Sequence, residues 1–217
     1  MQNNKAAAQL KTTIQKKYWD NTKKLFADRT EKDLFSQHAN ALAILTGLVP
    51  KKQLTAIATN LLTDTTLAPA SIYFKYYLHQ ALTTAGLGND YLKWLDKWRE
   101  NIAMGLTTWA ETSDVNTTRS DCHAWGASPN IEFFRTILGI DTDARGFTKV
   151  KIEPHLGTIK RIGGEIPHPN GKIKVYYSVV NGHLNADVEL PSMTTGKFVW
   201  KNKSYVLKAG KNTIVVR

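Results

Sequence analysis

Apolar residues in this chain change their spacing once, near Asp141–Gly146. Before that point they recur at the period of a helix. After it they alternate in short runs cut by Gly, Asn and Pro, the period of a strand. The chain therefore reads as two domains: a helical part over residues 1–140 and a strand part over residues 146–217. Its 217 residues are enough for two small domains.

The helical part contains two kinds of segment. Asn4–Ala27 carries Leu10, Ile14 and Tyr18 on one stripe, and Lys51–Leu62 carries Leu54, Ile57, Ala58, Leu61 and Leu62. Gly88–Ile102 carries Tyr91, Leu95, Trp98 and Ile102. Each reads as an amphipathic helix with one face in and one face out. Gln37–Leu48 and Ala70–Thr84 have almost no polar face, and a helix apolar all round is buried all round. Half-exposed and fully covered helices therefore alternate. An (α/α) barrel makes that arrangement with an inner and an outer ring, whereas a plain bundle would show one stripe on every helix. The helices here supply about half of such a barrel. A partial barrel leaves inner helices exposed, a face through which the isolated chain could associate. No motif fixes the oligomeric state.

The strand part holds seven candidate strands, 147–152, 158–166, 172–180, 183–189, 197–200, 204–207 and 212–216. Asn170-Gly171 and Asn181-Gly182 stand between them as hairpin signals, because Asn and Gly tolerate positive φ. Short strands with regular turns predict an antiparallel β-sandwich. The class is thus α+β and multidomain.

Composition excludes several functions. A 42% hydrophobic and 22% charged chain is that of a globular protein. No apolar stretch reaches membrane-spanning length, and no membrane partner is expected. Residues 1–8 lack the apolar core of a secretory signal, so an exported parent would carry its signal elsewhere. The net charge of +11 raises nucleic acid or acidic glycan as partners. The lysines, however, alternate with apolar residues at 149/151, 172/174 and 201/203, as on a solvated sheet face. They do not interleave with aromatics as a nucleic-acid stacking platform requires. The single cysteine, Cys122, forms no internal disulfide and reads as a small buried residue. His155, His168 and His183 lack metal-ligand spacing, and no metal is expected.

The chemistry-bearing stretch is Gly105–Asn130, GLTTWAETSDVNTTRSDCHAWGASPN. Trp109, Glu111, Asp114, Arg119, Asp121, His123 and Trp125 crowd into it. Sugar cleavage needs carboxylates for proton transfer, indole faces for stacking, and His and Arg for hydroxyls. The residues equally allow a polar connection whose tryptophans plug one end of the helices and whose Asp121 caps the next helix.

TTWAE followed by RSDCHAWGASPNIEFFRTILGI resembles the end of the catalytic barrel in glycoside hydrolase family 78, the α-L-rhamnosidases. FSQHANALAILTGLVP resembles an inner barrel helix, and GFTKVKIEPHLG with IPHPNGKIKVYYS resembles the opening of the β-sandwich behind it. The resemblance implies a partial (α/α)6 barrel, an inverting mechanism and a rhamnose-containing glycoside or polysaccharide as substrate. No cofactor is implied. Glu111 matches the general base and His123 a histidine that hydrogen-bonds rhamnose. Trp109 and Trp125 flank them as wall or packing. Tyr73 is a weaker pocket candidate and reads as core. The family's general acid has no counterpart here; Asp28-Arg29-Thr30-Glu31 has some of its letters but lies too near Glu111. The isolated chain is therefore expected to be inactive. Two rivals stand: a barrel hydrolase for another sugar, and a non-catalytic module gripping anionic glycan through its lysines.

Overall fold

The computed structural model describes residues 2–217, with side chains from Asn4 onward. Two compact units result. Of the described residues, one comprises 2–88 and 92–128, the other 89–91 and 129–217.

The first unit is helical. Helix α1 (Gln2–Tyr18) leads into a two-residue hairpin, β1 (Trp19–Asp20) with β2 (Leu25–Phe26). The helix expected to run to Ala27 stops here because Asp20 turns the chain. Its Oδ1 accepts the N–H groups of Thr22 and Lys23 at 2.9 and 2.7 Å, and Lys24 takes φ 56°. Leu25 and Phe26 are then buried. Helix α2 (Gln37–Leu45) starts at Ser36, whose Oγ accepts from Ala39 N at 3.2 Å. Asn40 on α2 is fully buried; it donates to Phe26 O and accepts from Phe26 N, which satisfies the hairpin backbone.

Helices α3 (Leu54–Thr63), α4 (Lys75–Leu82) and α5 (Asp96–Ala103) follow. Gln37 bridges Leu61 O and Ala70 N, both at 2.7 Å. α2 packs on α4, where Ala41 and Ala43 are buried and allow close approach. On α3 and α5 burial is one-sided; on α2 and α4 the outward residues are Leu42 and Tyr77. The single helix expected over 88–102 is broken. Gly86, at φ 92°, ends the α4 run, a 3₁₀ segment covers Gly88–Trp94, and α5 starts afresh at Asp96.

The second unit is built on two four-stranded sheets. After α6 (Ser128–Glu132), the strands are β3 (Ile140–Thr142), β4 (Lys149–Ile152), β5 (Arg161–His168), β6 (Gly171–Val180), β7 (His183–Leu190), β8 (Thr195–Trp200), β9 (Lys203–Leu207) and β10 (Gly210–Val216). One sheet has order β10-β7-β6-β5 and is antiparallel throughout. The other has order β3-β4-β8-β9. β4 and β8 pair in parallel, against the expectation of an all-antiparallel arrangement. The reason is topological: the other sheet intervenes in sequence, so the chain crosses over and returns in the same direction.

Alternation puts Ile173, Val175 and Tyr177 of β6, Leu184, Ala186 and Val188 of β7, and Val150, Ile152, Phe198 and Leu207 of the other sheet into one core. The rings of Tyr177 and Phe198 meet at 6.3 Å, and Tyr177 Oη donates to Leu138 O at 2.8 Å. Asn181 and Gly182 form the expected tight turn, at φ 51° and 77°. At the other hairpin His168 pairs with Gly171, so Pro169 and Asn170 make the turn, not Asn170-Gly171. Residues 129–138 also belong to this unit, with Leu138 in the sheet core and Phe134 packed on it. The change of period at 141–146 thus lies inside the second unit.

Candidate functional site

The long connection after α5 is held as a folded-back hairpin. His123 N–H donates to Trp109 O at 2.8 Å, and Glu111 N–H donates to Ser120 O at 2.8 Å. Thr108 Oγ1 donates to the Asp121 carbonyl. Thr118 knits the two strands. Its hydroxyl accepts from Glu111 N at 3.1 Å and Thr112 N at 3.4 Å, and donates to Ser120 O at 2.8 Å. Asp114 turns the tip, with Oδ1 accepting from Asn116 N at 3.0 Å.

This pairing sets Glu111 beside His123. The Glu111 carboxylate is only 20% exposed and accepts an ion-paired hydrogen bond from Arg119 Nη2. Arg119 holds the Glu111 carboxyl below the usual carboxylate range, first through that hydrogen bond. Partial desolvation opposes this, and the charges of Arg119 and His123 add to it. Glutamate is ionised at neutral pH at its ordinary value, and the Arg119 pairing favours that charged form further.

Trp109 and Trp125 are placed by one close approach. A Cβ at Gly126 would lie 2.7 Å from Trp109 Cβ and 3.2 Å from Ala110 O, so only glycine lets these backbones meet. Trp98 Nε1 donates to Gly126 O at 2.5 Å and anchors the turn to α5. Trp125 is 66% exposed and stacks on Tyr73 with ring centroids 5.5 Å apart and planes 23° apart. Tyr73 itself is 37% exposed, so the core role expected for it does not hold. The structure therefore joins Glu111 with His123 and Tyr73 with Trp125, while Trp109 holds His123 through its backbone.

Other expectations change. Asp121 caps no helix: the 3₁₀ turn Ala124–Ala127 starts after His123 without a side-chain cap. Cys122 is exposed, not buried. Arg29 is engaged with Asp33 in a local ion pair at 2.5 Å, which leaves the Asp28–Glu31 segment a structural turn. Ser36 Oγ donates to Asp28 there at 2.6 Å. Sequence reasoning missed Thr118, a hydroxyl in a Thr-rich stretch that nothing local distinguishes. It named Arg119 without a partner. Among the described residues no group of His, Cys, Asp and Glu is arranged to hold a metal ion, and no helix is long and apolar enough to cross a membrane.

Residues 139–214 match the bacterial alpha-L-rhamnosidase C-terminal domain family. No curated protein sequence matches the chain. Among solved structures, the alpha-L-rhamnosidase of Dictyoglumus thermophilum aligns over 98% of this chain and 28% of its own, with 19% identity and a TM-score of 0.81. The Streptomyces avermitilis alpha-L-rhamnosidase, solved with L-rhamnose, aligns over 97% of this chain and 24% of its own, with 16% identity and a TM-score of 0.76. The family 78 rhamnosidase of Bacillus sp. GL1 aligns over 88% of this chain and 23% of its own, with 25% identity and a TM-score of 0.69. The chain thus spans about a quarter of the length of these structures. The strand unit thus matches the C-terminal domain family of bacterial alpha-L-rhamnosidases over residues 139–214, and the chain shares the fold of these rhamnosidase structures.

Proposed function

We propose that this chain carries the water-activating side of an inverting α-L-rhamnosidase active site. In this reading the helical unit is a piece of an (α/α)6 barrel and the strand unit is the β-sandwich that follows it in sequence. Glu111 accepts a proton from water as the water oxygen attacks the anomeric carbon. The bond to the leaving oxygen breaks on the opposite face, and that oxygen takes a proton from a general acid outside these residues. His123 hydrogen-bonds the rhamnose hydroxyls, and Trp109, Trp125 and Tyr73 offer ring faces to the sugar. The observation that carries the reading is the hairpin pairing that sets the ionised Glu111 beside His123, in a chain that follows the rhamnosidase fold.

The test is kcat on an aryl α-L-rhamnoside for the complete enzyme and its Glu111→Gln variant. Loss of the base lowers kcat by about two to four orders of magnitude, with KM changed far less. An unaffected kcat removes Glu111 from the mechanism, and a complete enzyme inert on rhamnosides removes the substrate assignment. The 217-residue chain alone lacks the acid and is expected to release no aglycone. Measurable hydrolysis by the pure chain refutes that.

A further inference from the structure

The outer face of the β10-β7-β6-β5 sheet carries a groove of about 420 Å³ over β6, β7 and β10. Register decides what lines it. Tyr176 stands opposite Asp187, which stands opposite Thr213; Lys174 stands opposite Glu189, which stands opposite Lys211. On the edge strand β5, Gly163 stands opposite Tyr176. A Cβ at Gly163 would lie 2.9 Å from Tyr176 Cδ2, so the ring edge occupies the space that a side chain at Gly163 would need. Tyr176 is nonetheless 48% exposed, so much of the ring beside Gly163 stays open to solvent.

The charges beside the ring cancel, with Lys174 and Lys211 against Asp187 and Glu189. Lys174 Nζ is 3.6 Å from Glu189 Oε2, a loose pair, and Thr213 Oγ1 donates to Asp187 Oδ1 at 2.8 Å. Each carboxylate has a further oxygen able to accept from a hydroxyl. An exposed aromatic face flanked by acceptors and ammonium donors matches a neutral polyhydroxylated ring. Its C–H face stacks on the aromatic and its hydroxyls bridge to the charged groups. A polyanionic glycan would meet Asp187 and Glu189, and an apolar segment would strip water from four charges.

We propose that this groove is a second, non-catalytic subsite that binds a neutral pyranose unit of a glycan. The groove does not depend on the proposed catalytic reading; only the choice of a rhamnose-bearing probe does.

The experiment is an amide-shift titration of the ¹⁵N-labelled 217-residue chain with a neutral rhamnosyl-glucose disaccharide. Saturable shifts are expected at residues 174–176, 187–189 and 211–213, with affinity in the millimolar range. Tyr176→Ala weakens binding by about tenfold, the scale of one lost aromatic contact. Asp187→Asn, which keeps the side-chain shape, weakens it several-fold and decides the matter if Tyr176→Ala does not fold. Glu111→Gln leaves the affinity at the sheet face unchanged. Shifts confined to residues around Glu111 and His123 overturn the subsite while sparing the catalytic reading. So does the absence of any saturable shift on the sheet, or salt-sensitive binding of an oligogalacturonate alone.

Discussion

In the sheet unit the exposed apolar side chains on the strands, Val180, Val206 and Val215, stand singly, and Tyr176 is the exposed ring on β6. In the helical unit Leu42, Tyr73, Tyr77 and Trp125 are exposed, and several of the rings touch: Tyr73 with Trp125, and Phe74 with both Tyr73 and Tyr77. The difference follows from how each unit closes. Every strand of the two sheets has a neighbour in register, and their inner faces meet in one core around Phe198 and Tyr177. α2 and α4 pack through buried alanine and leucine, while Leu42 and Tyr77 on them, and Tyr73 and Trp125 elsewhere in the unit, stay in solvent. Clustered exposed aromatics mark a surface for something else, a sugar or further polypeptide, whereas scattered valines do not.

The comparison breaks most directly in the sheet core. Phe198→Ala, at a fully buried ring, costs about 3–5 kcal/mol and unfolds the sheet unit. Hydrogen exchange resolved by segment should lose protection over residues 140–217 first. Equal loss over residues 37–82 would mean that the two units unfold as one.

Acid separates the units by the opposite route. Burial between the rings of Trp94 and Trp98 pushes His79 on α4 down to about 3. The unfolded chain takes up that proton near pH 6.5 and the native helix does not. Stability of the helical unit is therefore fully present above about 6.5 and falls as pH drops toward 3. Roughly 3 kcal/mol is lost by pH 4, and His79→Gln should flatten that slope in denaturant melts. A helical unit whose stability does not respond between pH 7 and 4 contradicts the buried neutral imidazole.

Gly126→Ala drives a methyl into Trp109 and the Ala110 carbonyl, and costs about 1–3 kcal/mol, confined to the connection. The fluorescence of Trp109 and Trp125 should shift while the sheet unit keeps its stability. The smallest effect is electrostatic. Arg119→Gln removes the main cause of the lowered Glu111 pKa, so a carboxyl-detected titration should find Glu111 moved upward toward the ordinary glutamate value. An unmoved Glu111 would assign its low pKa to His123 instead.

Much of this was legible because it is local. The runs at 172–180 and 183–189 alternate, and the Asn181-Gly182 dipeptide between them suits the positive φ that the turn requires. Lys201 and Asn202 make a similar turn at φ 46° and 65°, in the gap left between the runs 197–200 and 204–207, although Lys itself carries no turn signal. β3 is three residues long and exists through its pairing with β4. Helix lengths were read less well. The apolar stripe on Asn4–Ala27 gives no weight to the carboxylate of Asp20, which ends α1 by capturing two N–H groups.

At the site, the residue types were readable and their arrangement was not. Glu111, His123, Trp109 and Trp125 stand out as chemistry-bearing side chains in a polar stretch. Which of them meet depends on a hairpin closed by Thr118, a contact between residues seven positions apart with no periodicity behind it. Arg119 meets Glu111 only through that hairpin, and Tyr73 finds Trp125, 52 positions away, only through the fold. Period and turn chemistry are properties of neighbouring residues, so the chain alone settles where strands and most helices lie. The Arg119–Glu111 pair, the Tyr73–Trp125 stack and the buried His79 depend on contacts that no period or turn signal encodes, and only tertiary packing decides them.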